Sequence, residues 1–201
     1  MPQLLPVRRL SYICIEKVVK SEGKTCTTTN YQLITIKKTV MASANSEHSR
    51  FMREAIALSI KSVNSGQGGP FGAVIVKDGE IIAKAHNMVT SINDPTAHAE
   101  IVAIRQACQK LKTFKLNGCQ LYTSCEPCPM CLGAIYWSRV DRVYYANTKA
   151  DAADIDFDDQ FIYEELDLPI SDRRLPIIQI LRDEALQAFK LWSEKVDKIE
   201  Y

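Results

Sequence analysis

Two short stretches of the chain carry side chains that could do chemistry together: His98 and Glu100 in His98-Ala99-Glu100, and Cys128 and Cys131 in Pro127-Cys128-Pro129-Met130-Cys131. One imidazole nitrogen and two thiolates make the three-ligand set that a catalytic zinc ion takes, with a fourth position left for water. Glu100 stands two residues from His98, near enough to face the same pocket without binding the metal. A carboxylate so placed can take a proton from the water and deliver it to a substrate and then to a leaving group. The four residues together point to hydrolysis at a metal centre.

These residues need elements to hold them. A loop through Ser91, Asn93, Asp94 and Pro95 leads into a helix whose Ile101, Ile104, Cys108 and Leu111 recur at three and four residues, with His98 and Glu100 in its first turn. Pro129 suits the first position of a further helix through about Ser138, which sets Cys128 and Cys131 one turn apart. Both ligand groups then sit at helix N-termini, where free amides and the helix dipole favour thiolate charge. Upstream, Phe51, Ala55, Leu58 and Ser62 predict a helix from Glu47 that stops at Gly66. Strands at Phe71–Val76 and Glu80–Ala85 flank Lys77-Asp78-Gly79, a hairpin turn signal. Gln120–Thr123, Arg142–Ala146 and Ile177–Leu181 read as three more strands, an acidic segment runs from Asp151 to Asp172, and Ala185, Phe189, Trp192, Val196 and Ile199 mark a closing helix. This alternation implies an α/β sandwich on a mixed sheet.

A chain of 201 residues, 46% hydrophobic and 24% charged, suits one globular domain with a sizeable core. Residues 1–46 lack a sustained period and read as a disordered extension, or as translation begun upstream of a start at Met41; residues 47–201 are the expected catalytic domain. The first forty residues carry a surplus of five positive charges, which leaves the remainder at −4 within a total of +1. That balance disfavours a nucleic-acid partner and suits a small-molecule base. No run of about 18 apolar residues suggests a membrane span. Seven cysteines, three of them crowded at 125, 128 and 131, do not read as a secreted disulfide framework and point to metal and a reducing cytoplasm.

Each motif alone has a plainer explanation. A single His at a helix start is usually a cap or a core residue, and a single C-x-x-C can be a redox pair or two buried thiols. Together they form the H-x-E and P-C-x-x-C signature of zinc deaminases. Cys125 raises two rivals. An iron–sulfur run would need a cysteine at position 135, which is Ile135, and Pro127 precedes Cys128 rather than Cys125. Cys125 therefore reads as a packed or pocket-lining thiol. Asp154, Asp156, Asp158 and Glu165 stand at calcium-loop positions one, three, five and twelve, but Asp159 replaces the glycine required at position six.

Beyond the signature, residues 47–201 resemble the cytidine deaminase superfamily, in its bacterial and plant-type guanine deaminase branch. The resemblance is carried by Gly68-Gly69-Pro70-Phe71-Gly72-Ala73-Val74, by Asn93-Asp94-Pro95-Thr96-Ala97-His98-Ala99-Glu100, by Ser124-Cys125-Glu126-Pro127-Cys128-Pro129-Met130-Cys131 and by Phe157-Asp158-Asp159. The first three blocks are shared with tRNA adenosine deaminases; the last, with the tail ending at Tyr201, narrows the match. The resemblance implies a three-layer α/β/α sandwich with a five-stranded mixed sheet. It also implies one zinc per chain, and a homodimer whose C-terminal segment closes over the site and is sometimes exchanged between subunits. By it, Asn87 would bond the base from the side, Phe71 would cover a ring face, and Tyr201 would reach the base, unless the last helix simply packs and its end frays. Asp159 would accept hydrogen bonds from the ring N–H and amine of guanine, unless it belongs to a solvated acidic loop. The implied reaction is attack of water, activated at zinc, on C2 of guanine, with Glu100 protonating the adjacent ring nitrogen and collapse to xanthine and ammonia. Guanosine, cytosine and tRNA adenosine are alternative substrates of the same chemistry. A silent zinc protein that binds a purine or a partner chain is the alternative of another class, though it would have no need of Glu100.

Overall fold

The computed structural model describes residues 27–157 and 159–200, with side chains from residue 46 onward. The chain divides into two units after Met41, and every candidate site residue lies in the second. Helix α1 spans Thr27–Ser65, so helical backbone begins twenty residues before the expected start at Glu47. Once a packed segment nucleates a helix, each further residue adds a hydrogen bond without a new nucleation cost, and apolar periodicity is not required.

The second unit is built on four strands, β1 (Gly72–Lys77), β2 (Glu80–His86), β3 (Cys119–Cys125) and β4 (Arg142–Asn147), in the order β2-β1-β3-β4. β1 runs antiparallel to β2 and β3, and β3 parallel to β4, so the sheet is mixed. Asp78 (φ 49°) and Gly79 (φ 78°) are both left-handed, the turn whose twist matches an antiparallel pair.

Side-chain alternation divides the core between two faces. Ala73, Ile75, Cys119 and Leu121 pack against Ala99, Ala103 and Ala107 of α3 (Ala99–Leu111), following the short α2 (Val89–Ile92). Alanines four residues apart form a smooth stripe that lets α3 lie close on the sheet. On the other face Val74, Val76 and Tyr122 pack against Phe51 and Ala55 of α1. A Cβ at Gly72 would stand 2.3 Å from the Ala55 carbonyl oxygen, so only glycine admits this approach of helix to strand. α4 (Pro129–Ser138) joins the α3 face through Ile135.

Past β4 the chain forms α5 (Lys149–Ala153), α6 (Gln160–Asp167), a 3-10 turn at Ile170–Asp172 and α7 (Arg182–Glu194). Two expectations fail here. Ile177–Leu181 is not a fifth strand: it forms no ladder among the described residues, Leu181 is left-handed (φ 52°) as the N-cap of α7, and Ile178 is 79% exposed. A strand needs a partner edge for its backbone groups, and none is aligned with this segment among the described residues. The closing helix ends at Glu194 with Lys195 as its C-cap, so Val196 and Ile199 lie outside it and Val196 is 100% exposed. Phe189 is also 74% exposed.

Candidate metal centre and active site

β3 and the two helices that begin beside it set the site. His98 is the N-cap of α3 (φ −65°, ψ 155°), one residue before the first turn in which the sequence places it. Its loop is held by Asp94, which accepts bonds from the Thr96 amide (2.8 Å) and hydroxyl (2.7 Å), while Arg105 reaches back from α3 to both residues. These Thr96 bonds hold the Asp94 carboxyl below its ordinary range. Cys128 is the N-cap of α4 (φ −64°, ψ 168°), with Pro129 at the first helical position as the sequence predicts. Neither His98 nor Cys128 uses its side chain as a cap.

The two caps and Cys131 converge. His98 Nδ1 stands 3.5 Å from Cys128 Sγ and 3.5 Å from Cys131 Sγ, and the three ligand atoms lie within 4.8 Å of one another. A tetrahedral zinc ion with ordinary Zn–N and Zn–S bonds separates nitrogen from sulfur by about 3.5 Å. The donor set and its spacing both fit zinc.

Charge at the group is uneven. A hydrogen bond from Cys131 and the nearby imidazole lower the Cys128 thiol to about 4, against the opposing effect of burial. The same Cys128 thiolate raises Cys131, and burial and Glu100 add to it. Two thiolates this close repel, which a dication would relieve. His98 is raised, first by its bond to Cys128 and then by the charges of Cys128, Glu100 and Asp159, with burial opposing.

Glu100 is buried in the second turn-forming position of α3. Its Oε1 accepts a 2.8 Å bond from the Thr123 hydroxyl, and its Oε2 lies 3.5 Å from the Cys131 thiol. Burial pushes its carboxyl up, a direction that would fit a group able both to take and to give a proton. Cys125 sits beside the group, donates to the Thr148 carbonyl at 3.5 Å, and is pushed up to about 11 by burial.

A cavity of about 420 Å³ opens onto His98, Glu100 and Cys128, and its walls include Phe71, Asn87 and Asp159. Asn87 is buried just past β2; its Oδ1 accepts from the backbone amides of Gly69 (3.4 Å) and Val89 (3.2 Å). With its carbonyl committed to the backbone, its Nδ2 hydrogens are what remain for a ligand. Gly68 makes this possible, because a Cβ there would stand 2.1 Å from the backbone carbonyl oxygen of Asn87 and 2.8 Å from its Oδ1. Phe71 meets Phe157 edge to face (4.9 Å, 88°). Asp159 is the N-cap of α6 without a side-chain cap bond. Asp158 and Tyr201 lie outside the described residues. Glu165, the last position of the hypothetical calcium loop, instead pairs with Arg174, accepting its amide at 2.7 Å.

Thr123 and Phe157 carry no role in the sequence reading. Thr123 leaves a faint signal, one hydroxyl in the inward row Cys119, Leu121, Thr123, Cys125. The partner that gives it meaning is 23 residues away in sequence. Phe157 stands in a quoted block, but only the fold brings it to Phe71.

The fold and this site define a zinc-binding deaminase domain. A family model for the cytidine and deoxycytidylate deaminase zinc-binding region matches residues 45–147, and the chain belongs to that family. It is 54% identical over 154 residues to the guanine deaminase of Bacillus subtilis, a match covering 77% of this chain and 99% of that protein. The crystal structure of guanine deaminase from Bacillus subtilis superposes with a TM-score of 0.75 at 55% identity, covering 77% of this chain and 98% of the other. The tRNA-specific adenosine deaminase of Aquifex aeolicus is 47% identical over 96 residues, 48% of this chain and 63% of its own.

Proposed function

We propose that this chain is a zinc-dependent guanine deaminase that hydrolyses guanine to xanthine and ammonia. One observation carries the choice of substrate. The likeness to a guanine deaminase runs over 154 residues and nearly all of that protein, while the tRNA deaminase likeness stops at 96. The longer match exceeds the zinc-binding region, and Asp159 and Phe157 of the cavity wall lie outside that region.

His98, Cys128 and Cys131 are the zinc ligands. Zinc, when bound, supplies the Lewis acidity that makes water nucleophilic at neutral pH. Glu100 takes a proton from the attacking water, places it on the ring nitrogen beside C2, and carries the next proton to the departing amine. Its burial keeps those transfers out of bulk solvent. Asn87 donates from Nδ2 to an acceptor on the base, Asp159 accepts from its N–H and amine, and Phe71 covers a ring face with Phe157 at its edge.

The working unit is a homodimer with the C-terminal segment exchanged. Several features support this. β4 has a free outer edge among the described residues, α4 presents Tyr136 (70% exposed) and Trp137 (62%), and the unpaired Ile177–Leu181 and the apolar face of α7 lack cover. Lys115, four residues before β3, bonds the Glu200 carbonyl at 3.2 Å. The chain's own end is thus tied near the start of β3, whereas the site lies at its finish, a strand length of roughly 20 Å away. Tyr201 then serves the partner's cavity. No described helix is long and apolar enough to cross a membrane, and the described cysteines are free thiols, which suits the cytoplasm.

The test is to purify the full chain, measure zinc per chain, and follow ammonia release from guanine, guanosine, adenine and cytosine. Guanine is expected to turn over fastest. Full zinc with no turnover of any would refute the enzyme, and a preference for another substrate would reassign it.

A further inference from the structure

We infer that Thr123 is a positioning residue, whose hydroxyl fixes the carboxylate of Glu100 so that one oxygen is held and the other faces the metal group; this rests on the role proposed above for Glu100. Thr123 lies on β3, the strand between β1 and β4, opposite Ala73 on one side and Tyr145 on the other. It is fully buried. Its side chain continues the row of Cys119 and Leu121 that faces α3, and it alone in that row carries a hydroxyl. A buried hydroxyl is costly unless it is bonded, and the partner it has is Glu100 Oε1 at 2.8 Å. Because the donor stands on a paired central strand and its β-branched side chain is stiff, the bond is aimed by the sheet rather than by a loop.

The consequence for Glu100 is geometric. A glutamate side chain has three torsions, and near the start of a helix it can present either oxygen, or neither, to the cavity. With Oε1 anchored to Thr123, Oε2 is the oxygen left beside Cys131, 3.5 Å from its sulfur. A carboxylate that must collect a proton at the metal group and release it at the ring gains from having that oxygen aimed in advance. Packing alone would ask only for a residue of this shape, and valine has nearly the same volume.

Three variants of the full chain separate the hydroxyl from the volume: Thr123→Val keeps the shape without the hydroxyl, Thr123→Ser keeps the hydroxyl without the methyl, and Thr123→Ala keeps neither. For each, zinc per chain, melting temperature, affinity for xanthine and the separate kcat and KM for guanine are measured. The expected result is full zinc and ordinary xanthine affinity in all three. Thr123→Val and Thr123→Ala should lose about tenfold or more in kcat with KM little changed, while Thr123→Ser stays within about twofold of the native enzyme. The inference is overturned if Thr123→Val works as the native chain does while Thr123→Ser falls with Thr123→Ala, which would mark a packing role. Loss of zinc from the hydroxyl-free variants would also overturn it, assigning Thr123 to building the metal group. If Thr123→Val does not fold, Thr123→Ser against Thr123→Ala decides the matter. A native chain inactive on every base would instead remove the underlying assignment of Glu100, and the two failures are distinct.

Discussion

His98 and Cys128 hold the same place in two different helices, each being the N-cap residue, of α3 and of α4, with Nδ1 and Sγ 3.5 Å apart. An N-cap side chain ordinarily turns back to accept a bond from its own helix, and neither of these does. Both are directed instead into the space between the helix starts, where two sets of free amides favour negative charge. The rest of the site follows from this convergence, because Cys131 is one turn further along α4 and Glu100 is two residues further along α3.

Zinc loading should release protons, and their number reports the state of the empty site. At pH 7 the Cys128 thiol, lowered to about 4, is already ionised, whereas Cys131, raised by that thiolate and by burial, still holds its proton, and the bond to Cys128 shifts His98 toward its charged form. Titrating zinc into metal-free protein in buffers of different ionisation enthalpy should therefore show about one to two protons leaving per zinc. A value near zero would contradict this picture of the thiols. Chelation should abolish turnover, and added zinc should restore it; His98→Ala should lose both metal and activity.

Glu100→Gln should keep zinc and lose about 100- to 10,000-fold in kcat, the usual worth of a positioned acid–base group. It should also change stability in a defined direction. Burial raises the Glu100 carboxyl above its ordinary 4.5, so in metal-free protein its contribution is fully present below that pH. It is lost as pH rises through the folded-state value, where the buried group must ionise. Above that range the metal-free Glu100→Gln protein should melt higher than the native chain, and the gap should close on acidification. An unchanged gap across pH would show that the carboxyl is not held protonated by burial.

Asp159→Asn should weaken guanine turnover by about 10- to 100-fold, the worth of hydrogen bonds to a charged acceptor. Zinc content and residual activity on bases that lack guanine's donors should be spared. Steady-state kinetics on guanine and adenine side by side make the comparison. Unchanged guanine kinetics would return Asp159 to the solvated acidic segment.

Exchange of the C-terminal segment can be read from mixed dimers. One chain carries Glu100→Gln with an intact tail, and the other has a native site but ends at Glu194. Each homodimer should be inactive, and mixing under conditions of subunit exchange should restore one working site per mixed dimer. If each tail serves its own subunit, the mixture stays inactive.

Much of the site was legible in the chain because its chemistry is local. His98 and Glu100 are two residues apart, Cys128 and Cys131 one turn apart, and Pro129 marks the helix start that aims the second pair. Zinc accepts few side-chain types at few spacings, so such a set has few other meanings. The hairpin at Asp78-Gly79 was legible for the same reason, since a two-residue turn with left-handed backbone admits few residues.

What spans distance was not legible. The bond from Thr123 to Glu100, the edge-to-face packing of Phe157 on Phe71, and the committed carbonyl of Asn87 all join residues from separate elements. The failure at Ile177–Leu181 has a related cause. Apolar β-branched residues there satisfy every local rule for a strand, yet a strand exists only where another edge takes up its hydrogen bonds, and none is aligned with that segment among the described residues. By itself the sequence determined the His/Cys/Cys group, the carboxylate two residues from its histidine, and the strands and helices that hold them, because short spacings encode these directly. Only the tertiary structure decided which oxygen of Glu100 faces the metal group, which side of Asn87 faces the cavity, and that the C-terminal apolar residues are left without cover, because each depends on what the fold brings alongside.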